Sequence, residues 1–182
     1  MLLLLLGLGF GLVGIGKKIV AKAGSDTTAD RPHPALGNAD IGPVTGLPLP
    51  RFVALAADRV NLRTGPGARY PIAWVYLRRG LPVEVVAEYQ HYRKVRDSDG
   101  TEGWVQEDLI TGRRMALVTG RGVQILRGDP DPRADVIARV EPGVIGHLLH
   151  CNSTWCKLDI NGYRGYLARD NLFGILPGET VN

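Results

Sequence analysis

Cys151 and Cys156 lie five residues apart, with His147 and His150 just upstream. A thiol beside an imidazole is the raw material of a nucleophile or a metal site. The surrounding pattern argues against both uses. On a strand, positions 147 and 150 face opposite sides, so the two imidazoles cannot converge on one ion or flank one thiolate. Carboxylates are spread singly, with no Asp or Glu pair in a shared apolar context that would raise a pKa. The chain therefore reads as non-catalytic, with no metal ligand set and no cofactor loop. The cysteines have a better use as a disulfide: Cys151 ends one predicted strand and Cys156 begins the next, and facing strand ends suit disulfide geometry. An oxidising compartment would close that bond; reduced cysteines in a cytoplasmic protein are the alternative.

A second set of residue types suits binding. Arg63, Arg69, Tyr70, Trp74 and Tyr76 cluster around a Gly65-Pro66-Gly67 loop. Aromatic rings with polar tips beside guanidinium groups fit sugars, peptide backbone or peptide carboxylates. Ile72, Trp74 and Tyr76 alternate along one strand and share a face, which describes a core as well as a site. Tyr70, in the loop, is the better-placed candidate. Trp104 and Trp155 read as core aromatics.

The elements that must position these residues repeat about 63 residues apart. Gly80-Leu81-Pro82-Val83 lines up with Gly143-Val144-Ile145-Gly146, and Tyr92-Arg93-Lys94-Val95 with Trp155-Cys156-Lys157-Leu158. Gly103-Trp104-Val105 meets Gly165-Tyr166-Leu167, Asp108-Leu109 meets Asn171-Leu172, and Leu62-Arg63 meets Leu126-Arg127. Glycines, turn dipeptides and apolar alternation recur, so a backbone trace and a core are duplicated, not a reaction centre. Asp99-Gly100 and Asn161-Gly162 predict two-residue hairpins, and Tyr89 to Tyr92 a four-residue one. After Arg51 no apolar period of 3.6 residues is sustained, so helix should be limited to single turns, for example near Glu107-Asp108-Leu109.

Charge adds an exclusion. From Arg51 onward 18 Lys and Arg stand against 15 Asp and Glu, a scattered surplus unlike the clustered cations of a nucleic-acid surface. Residues 1 to 16 are apolar or glycine throughout, closed by Lys17-Lys18. As a helix this run spans about 24 Å, short of the roughly 30 Å hydrocarbon core. Ala21-Lys22-Ala23 offers small residues for signal cleavage, although the basic n-region is missing. Residues 1–23 are thus a signal peptide or an uncleaved anchor, and the membrane enters only through an uncleaved segment. Residues 24–50 carry five prolines among small polar residues and read as an extended, disordered linker.

Val60-Asn61-Leu62-Arg63-Thr64-Gly65-Pro66-Gly67, then Gly80, Val83, Val85, Tyr92 to Val95, Gly103-Trp104-Val105 and Leu109, resemble in order the bacterial Src-homology-3-like (SH3-like) domain. The second copy departs at Gln124 to Pro130 and lacks an aromatic between Asp129 and Asp135. The resemblance implies an all-β chain of two tandem small SH3-like β-barrels, residues 51–113 and 114–176, following an N-terminal apolar helix and the linker. It also implies an exported, periplasmic or envelope protein that recognises peptidoglycan or a cell-wall peptide without catalysis. A protein–protein adaptor or scaffold in the envelope, without glycan affinity, is the other reading.

Overall fold

The computed structural model describes residues 40–182. Its first element is a hairpin of β1 (Asp40–Ile41) and β2 (Pro48–Leu49). The first repeat follows as β3 (Arg51–Leu55), β4 (Val60–Arg63), β5 (Ile72–Tyr76), β6 (Pro82–Tyr89), β7 (Tyr92–Arg96), β8 (Glu102–Gln106), a 3₁₀ turn at Glu107–Leu109 and β9 (Ile110–Thr111). The second runs β10 (Met115–Val118), β11 (Gln124–Arg127), β12 (Val136–Val140), β13 (Ile145–Cys151), β14 (Trp155–Ile160), β15 (Tyr163–Ala168), a 3₁₀ turn at Arg169–Asn171 and β16 (Leu172–Phe173). Each repeat is a seven-stranded antiparallel sheet, ordered β5-β4-β8-β7-β6-β3-β9 and β12-β11-β15-β14-β13-β10-β16. The duplicated sequence is therefore a duplicated topology, and the all-β expectation holds.

Alternation along the strands sends one side chain in two toward each core. Val53, Leu62, Val85, Val95 and Val105 fill the first. Ala116, Leu126, Leu148, Leu158 and Leu167 fill the same places in the second. Fully burying such an aliphatic side chain stabilises by roughly 1.5–3 kcal/mol. Gly103 lets β8 close onto β4: a Cβ there would lie 2.5 Å from Leu62 Cγ and 2.9 Å from the Arg63 carbonyl oxygen. Gly165 meets the same demand, 2.6 Å from the Arg127 carbonyl oxygen. Phe52 is buried outside either core, with its ring edge-on to Phe173 at 5.0 Å between centroids. That contact joins the first repeat to the second, as does the Arg78 guanidinium donating to the Gly143 carbonyl.

Several expectations change. Asn161 and Gly162 do form a two-residue hairpin, both with positive φ. Asp99-Gly100 sits instead in a five-residue loop, 97–101, because Asp97 Oδ1 accepts the amides of Asp99 and Thr101 and widens the turn. The extra length shifts the offset between repeats from 63 to 62 beyond it, so Leu109 and Asn171 are equivalent: their carbonyls accept the amides of Ala56 and Thr119. Only Gln90 and His91 separate β6 from β7. The last part of the segment expected to be linker is ordered, as the β1–β2 hairpin. Residues 1–39, including the expected signal or anchor, lie outside the described residues.

Candidate functional site

The loop joining β4 to β5 is built by one arginine. Arg63 Nη1 donates to the carbonyls of Ala68 at 3.0 Å and Tyr70 at 2.8 Å, and the Thr64 amide donates to the Pro71 carbonyl. The Tyr70 ring lies against Gly65, where a Cβ would approach within 2.4 Å. The exposed Arg69 places its guanidinium 5.3 Å from the ring centroid, a cation–π stack. Along the following edge strand Ile72 is 47% exposed and Trp74 58% exposed. Residues 69–74 thus present a guanidinium, a phenol and an indole in sequence. The structure stacks Arg69 on Tyr70, leaves Trp74 exposed on the edge strand that follows, and gives Arg63 the task of holding the loop.

Tyr76 leaves the expected set. It is buried in the first core, and its hydroxyl donates to Asp97 Oδ2 at 2.9 Å. Burial, with the Asp97 carboxylate beside it, raises the phenol pKa. Strand β5 dives from the edge into the core, so alternate residues on one face change from exposed to buried along it. Trp104 and Trp155, expected in the cores, are half-buried and belong to neither. Each lies next to a strand residue that points inward, Val105 and Cys156, so the pleat turns the indoles outward. Trp104 sits opposite Arg63 on β4 and Lys94 on β7. Lys94 and Arg96 both pair with Glu102, and the Lys94 hydrogen bond is the leading cause of the lowered Glu102 pKa.

The second repeat keeps the scaffold and changes the surface. Arg127 donates to the Ala134 carbonyl at 2.8 Å as Arg63 does in the first. Ala138 stands where Trp74 stands, each opposite the equivalent leucine. Beside Ala138 opens a cleft of ≈350 Å³ that Leu126, Val140, Ile160 and Tyr163 also line. Tyr166 replaces Trp104, with Lys157 Nζ 5.4 Å from its ring centroid. His147 and His150 are both exposed, and among the described residues no group of three or more His, Cys, Asp or Glu could hold a metal ion.

A buried polar cluster escaped sequence reasoning altogether. Glu88 and Arg93 face each other across β6 and β7, and the equivalent pair on β13 and β14 is Cys151 and Cys156. Those cysteines form a disulfide with 4.1 Å between their Cα atoms. In the first repeat the hairpin turn closes over Glu88, which accepts the Val44 and Thr45 amides at 3.0 and 2.9 Å, the Thr45 hydroxyl at 2.6 Å and Arg51 Nη2 at 2.8 Å. Burial alone would raise this carboxyl's pKa, but the Thr45, Arg51 and Val44 donors outweigh it and hold it at about 2. Arg93 also pairs with Glu107, whose other oxygen meets His91 Nδ1 at 2.7 Å. A glutamate and an arginine five apart across a hairpin, aligned with the cysteine pair, was the available signal.

Residues 56–112 and 122–174 each match the family described as bacterial SH3 domain. The chain belongs to that family. A protein of Bacillus subtilis (strain 168) bearing the name N-acetylmuramoyl-L-alanine amidase YrvJ is 25% identical over 126 residues, which cover 64% of this chain. The chain spans only 24% of that relative's length. Among solved structures, NlpC2 of Trichomonas vaginalis shares 15% identity over 68% of this chain and 48% of its own, with a TM-score of 0.32. An NlpC/P60 family protein from Bacillus cereus ATCC 10987 shares 15% identity over 67% of this chain and 55% of its own, with a TM-score of 0.31. At such scores the likeness supports no residue-by-residue correspondence between these proteins and the two SH3 repeats.

Proposed function

We propose that this chain is a non-catalytic binding module of the cell envelope, and that its first SH3 repeat recognises peptidoglycan or a cell-wall peptide through Arg69, Tyr70 and Trp74. The observation that carries the reading is the exposed indole of Trp74 following the Arg69–Tyr70 stack on one loop and edge strand of a bacterial SH3 domain. Stacked aromatic faces bind sugar and peptide planes, and the guanidinium adds a partner for carboxylates. The name of the B. subtilis relative, an N-acetylmuramoyl-L-alanine amidase, supports the same substrate class. The apolar run at residues 1–16 supports placement in the envelope, by export or by anchoring.

Co-sedimentation with purified peptidoglycan sacculi tests this. The wild-type chain should pellet with sacculi, and Trp74→Ala with Tyr70→Ala should lose most of that binding while keeping a cooperative melt and a β-rich far-ultraviolet circular dichroism spectrum. Wild-type chain that stays in the supernatant would sink the proposal. The adaptor reading would then be preferred, supported by the second repeat, where Ala138 and an acidic loop replace the aromatic surface.

A further inference from the structure

The tail of the chain shows how one of these barrels holds a peptide. Beyond β16 the chain turns at Gly174 and runs back across the second repeat. Glu179 accepts both guanidinium arms of Arg114, and Arg169 donates to the carbonyls of Leu176 and Glu179. Val181 exchanges two backbone hydrogen bonds with Cys151, and Ile175 and Val181 pack on the core. The register gives each of these a counterpart in the first repeat: Arg51 for Arg114, Glu107 for Arg169, Gly112 for Gly174 and Glu88 for Cys151. There the chain cannot turn back, because it continues from Gly112 into the second repeat. The β1–β2 hairpin covers the Glu88 end of the seat, and the rest is a cleft of ≈350 Å³ lined by Arg51, Arg93, Glu107, Leu47, Ile110 and Gly112. Arg51 Nη1 beneath it is shielded and has no hydrogen-bond partner among the described residues.

We propose that this cleft is a second recognition site, which seats a wall stem peptide carrying both a carboxylate and an ammonium or amide donor. The carboxylate meets Arg51, as Glu179 meets Arg114, and supplies the acceptor that Nη1 lacks. Glu107 stands where Arg169 binds carbonyls. Its oxygens already meet Arg93 and His91, but the half-exposed carboxylate keeps lone pairs for a further donor, so the sign of the partner reverses there, from acceptor to donor. Leu47 and Ile110 flank the path with apolar surface, as Ile175 and Val181 do in the second repeat. A free stem peptide combines carboxylates with an amino group within a few residues, which matches this alternation of charge. The assignment deepens the wall-binding reading and rests on it, but it uses a different face of the barrel.

The full ¹⁵N-labelled chain titrated with the tripeptide L-alanyl-γ-D-glutamyl-meso-diaminopimelate, followed by amide shifts, tests the assignment. Shifts are expected at Val44, Thr45, Arg51, Thr111 and Gly112, with the same peptide bearing amidated carboxylates binding at least 10-fold more weakly. Arg51→Lys, which keeps the charge but loses the fork, should weaken the tripeptide similarly while the Val44 and Thr45 amides keep their free-state positions. Shifts confined to Arg69–Trp74, equal binding of the amidated peptide, or no shifts at all would overturn the seat. Sacculus binding that survives any of these results leaves the aromatic surface standing. Seat shifts in a chain that fails to pellet with sacculi would instead overturn the proposed sacculus binding and leave a site for the free peptide only.

Discussion

Replacing Glu88 by Gln removes one charge and almost no volume from a buried side chain that accepts four hydrogen bonds. At neutral pH it leaves Arg51 and Arg93 with less counter-charge and sets an amide NH₂ against one donor set, either the Val44 and Thr45 amides or the Thr45 hydroxyl and Arg51. Breaking a buried ion pair by removing one partner costs about 3–5 kcal/mol, and the retained amide oxygen should hold the loss to roughly 2–4 kcal/mol. Proton linkage sets the pH dependence. The folded carboxyl titrates at about 2 against an ordinary 4.5, so its stabilisation is complete above the unfolded pKa. It is lost as pH falls from there toward about 2. The shift corresponds to roughly 3 kcal/mol before screening; because the covering turn is thin, about 2 kcal/mol is the better expectation. Calorimetry of wild type and Glu88→Gln at pH 7, 5, 4 and 3 should show melting of the first repeat lowered by about 8 °C or more at pH 7. The gap between the two proteins should narrow below pH 5. A gap that stays constant down to pH 3, or a variant as stable as wild type at pH 7, would refute the reasoning.

Removing the disulfide with Cys151→Ser and Cys156→Ser should destabilise the second repeat by about 2 kcal/mol, the loop-entropy value for so short a ring; urea unfolding followed by Trp155 fluorescence reads it, and intact mass before and after reduction should differ by two hydrogens. Gly103→Ala and Gly165→Ala should each cost about 1–3 kcal/mol, because the added methyl meets a backbone carbonyl as well as a leucine; equal melting temperatures for variants and wild type would contradict the close approach of β4 to β8 and of β11 to β15. Trp104→Ala should cost only about 1–2 kcal/mol, since a half-buried indole gives up half of its apolar contact, and Trp74→Ala should leave the melting temperature within a degree or two while weakening sacculus binding. Global unfolding by Trp104→Ala in circular dichroism would restore that indole to the core.

The duplicated barrel was legible because glycines and turns mark a trace independently of what fills it. Gly103 and Gly165 recur for the same carbonyl contact, and Asn161-Gly162 for the same backbone twist. The facing cysteines were legible from strand ends alone. Depth was not, because alternation says which residues share a face and not where along the strand that face meets solvent. Ile72, Trp74 and Tyr76 read alike in sequence, yet only the last reaches the core. Trp104 and Trp155 misled for the opposite reason: large aromatics suggest a core, and the pleat assigns that role to their smaller neighbours. The ordered β1–β2 hairpin was hidden because proline-rich composition suppresses periodicity, and its anchor is a side chain more than forty residues away. Glu88 itself reads as an ordinary surface charge until Arg93 is aligned with Cys156.

The equivalence of Glu88–Arg93 and Cys151–Cys156 has a mechanical corollary. Load entering through residue 40 reaches the first barrel at the β6–β7 rung, by way of a turn held on one carboxylate. Load entering through Asn182 reaches the second at the matching β13–β14 rung, by way of Val181 on a residue covalently locked to the neighbouring strand. The β1–β2 pairing spans two rungs and would open one at a time, like a zip. Pulled at residue 40, the hairpin should therefore peel rung by rung before the first barrel opens, and a reductant, which cuts only the Cys151–Cys156 bond outside that line of force, should leave this step unchanged in single-molecule pulling.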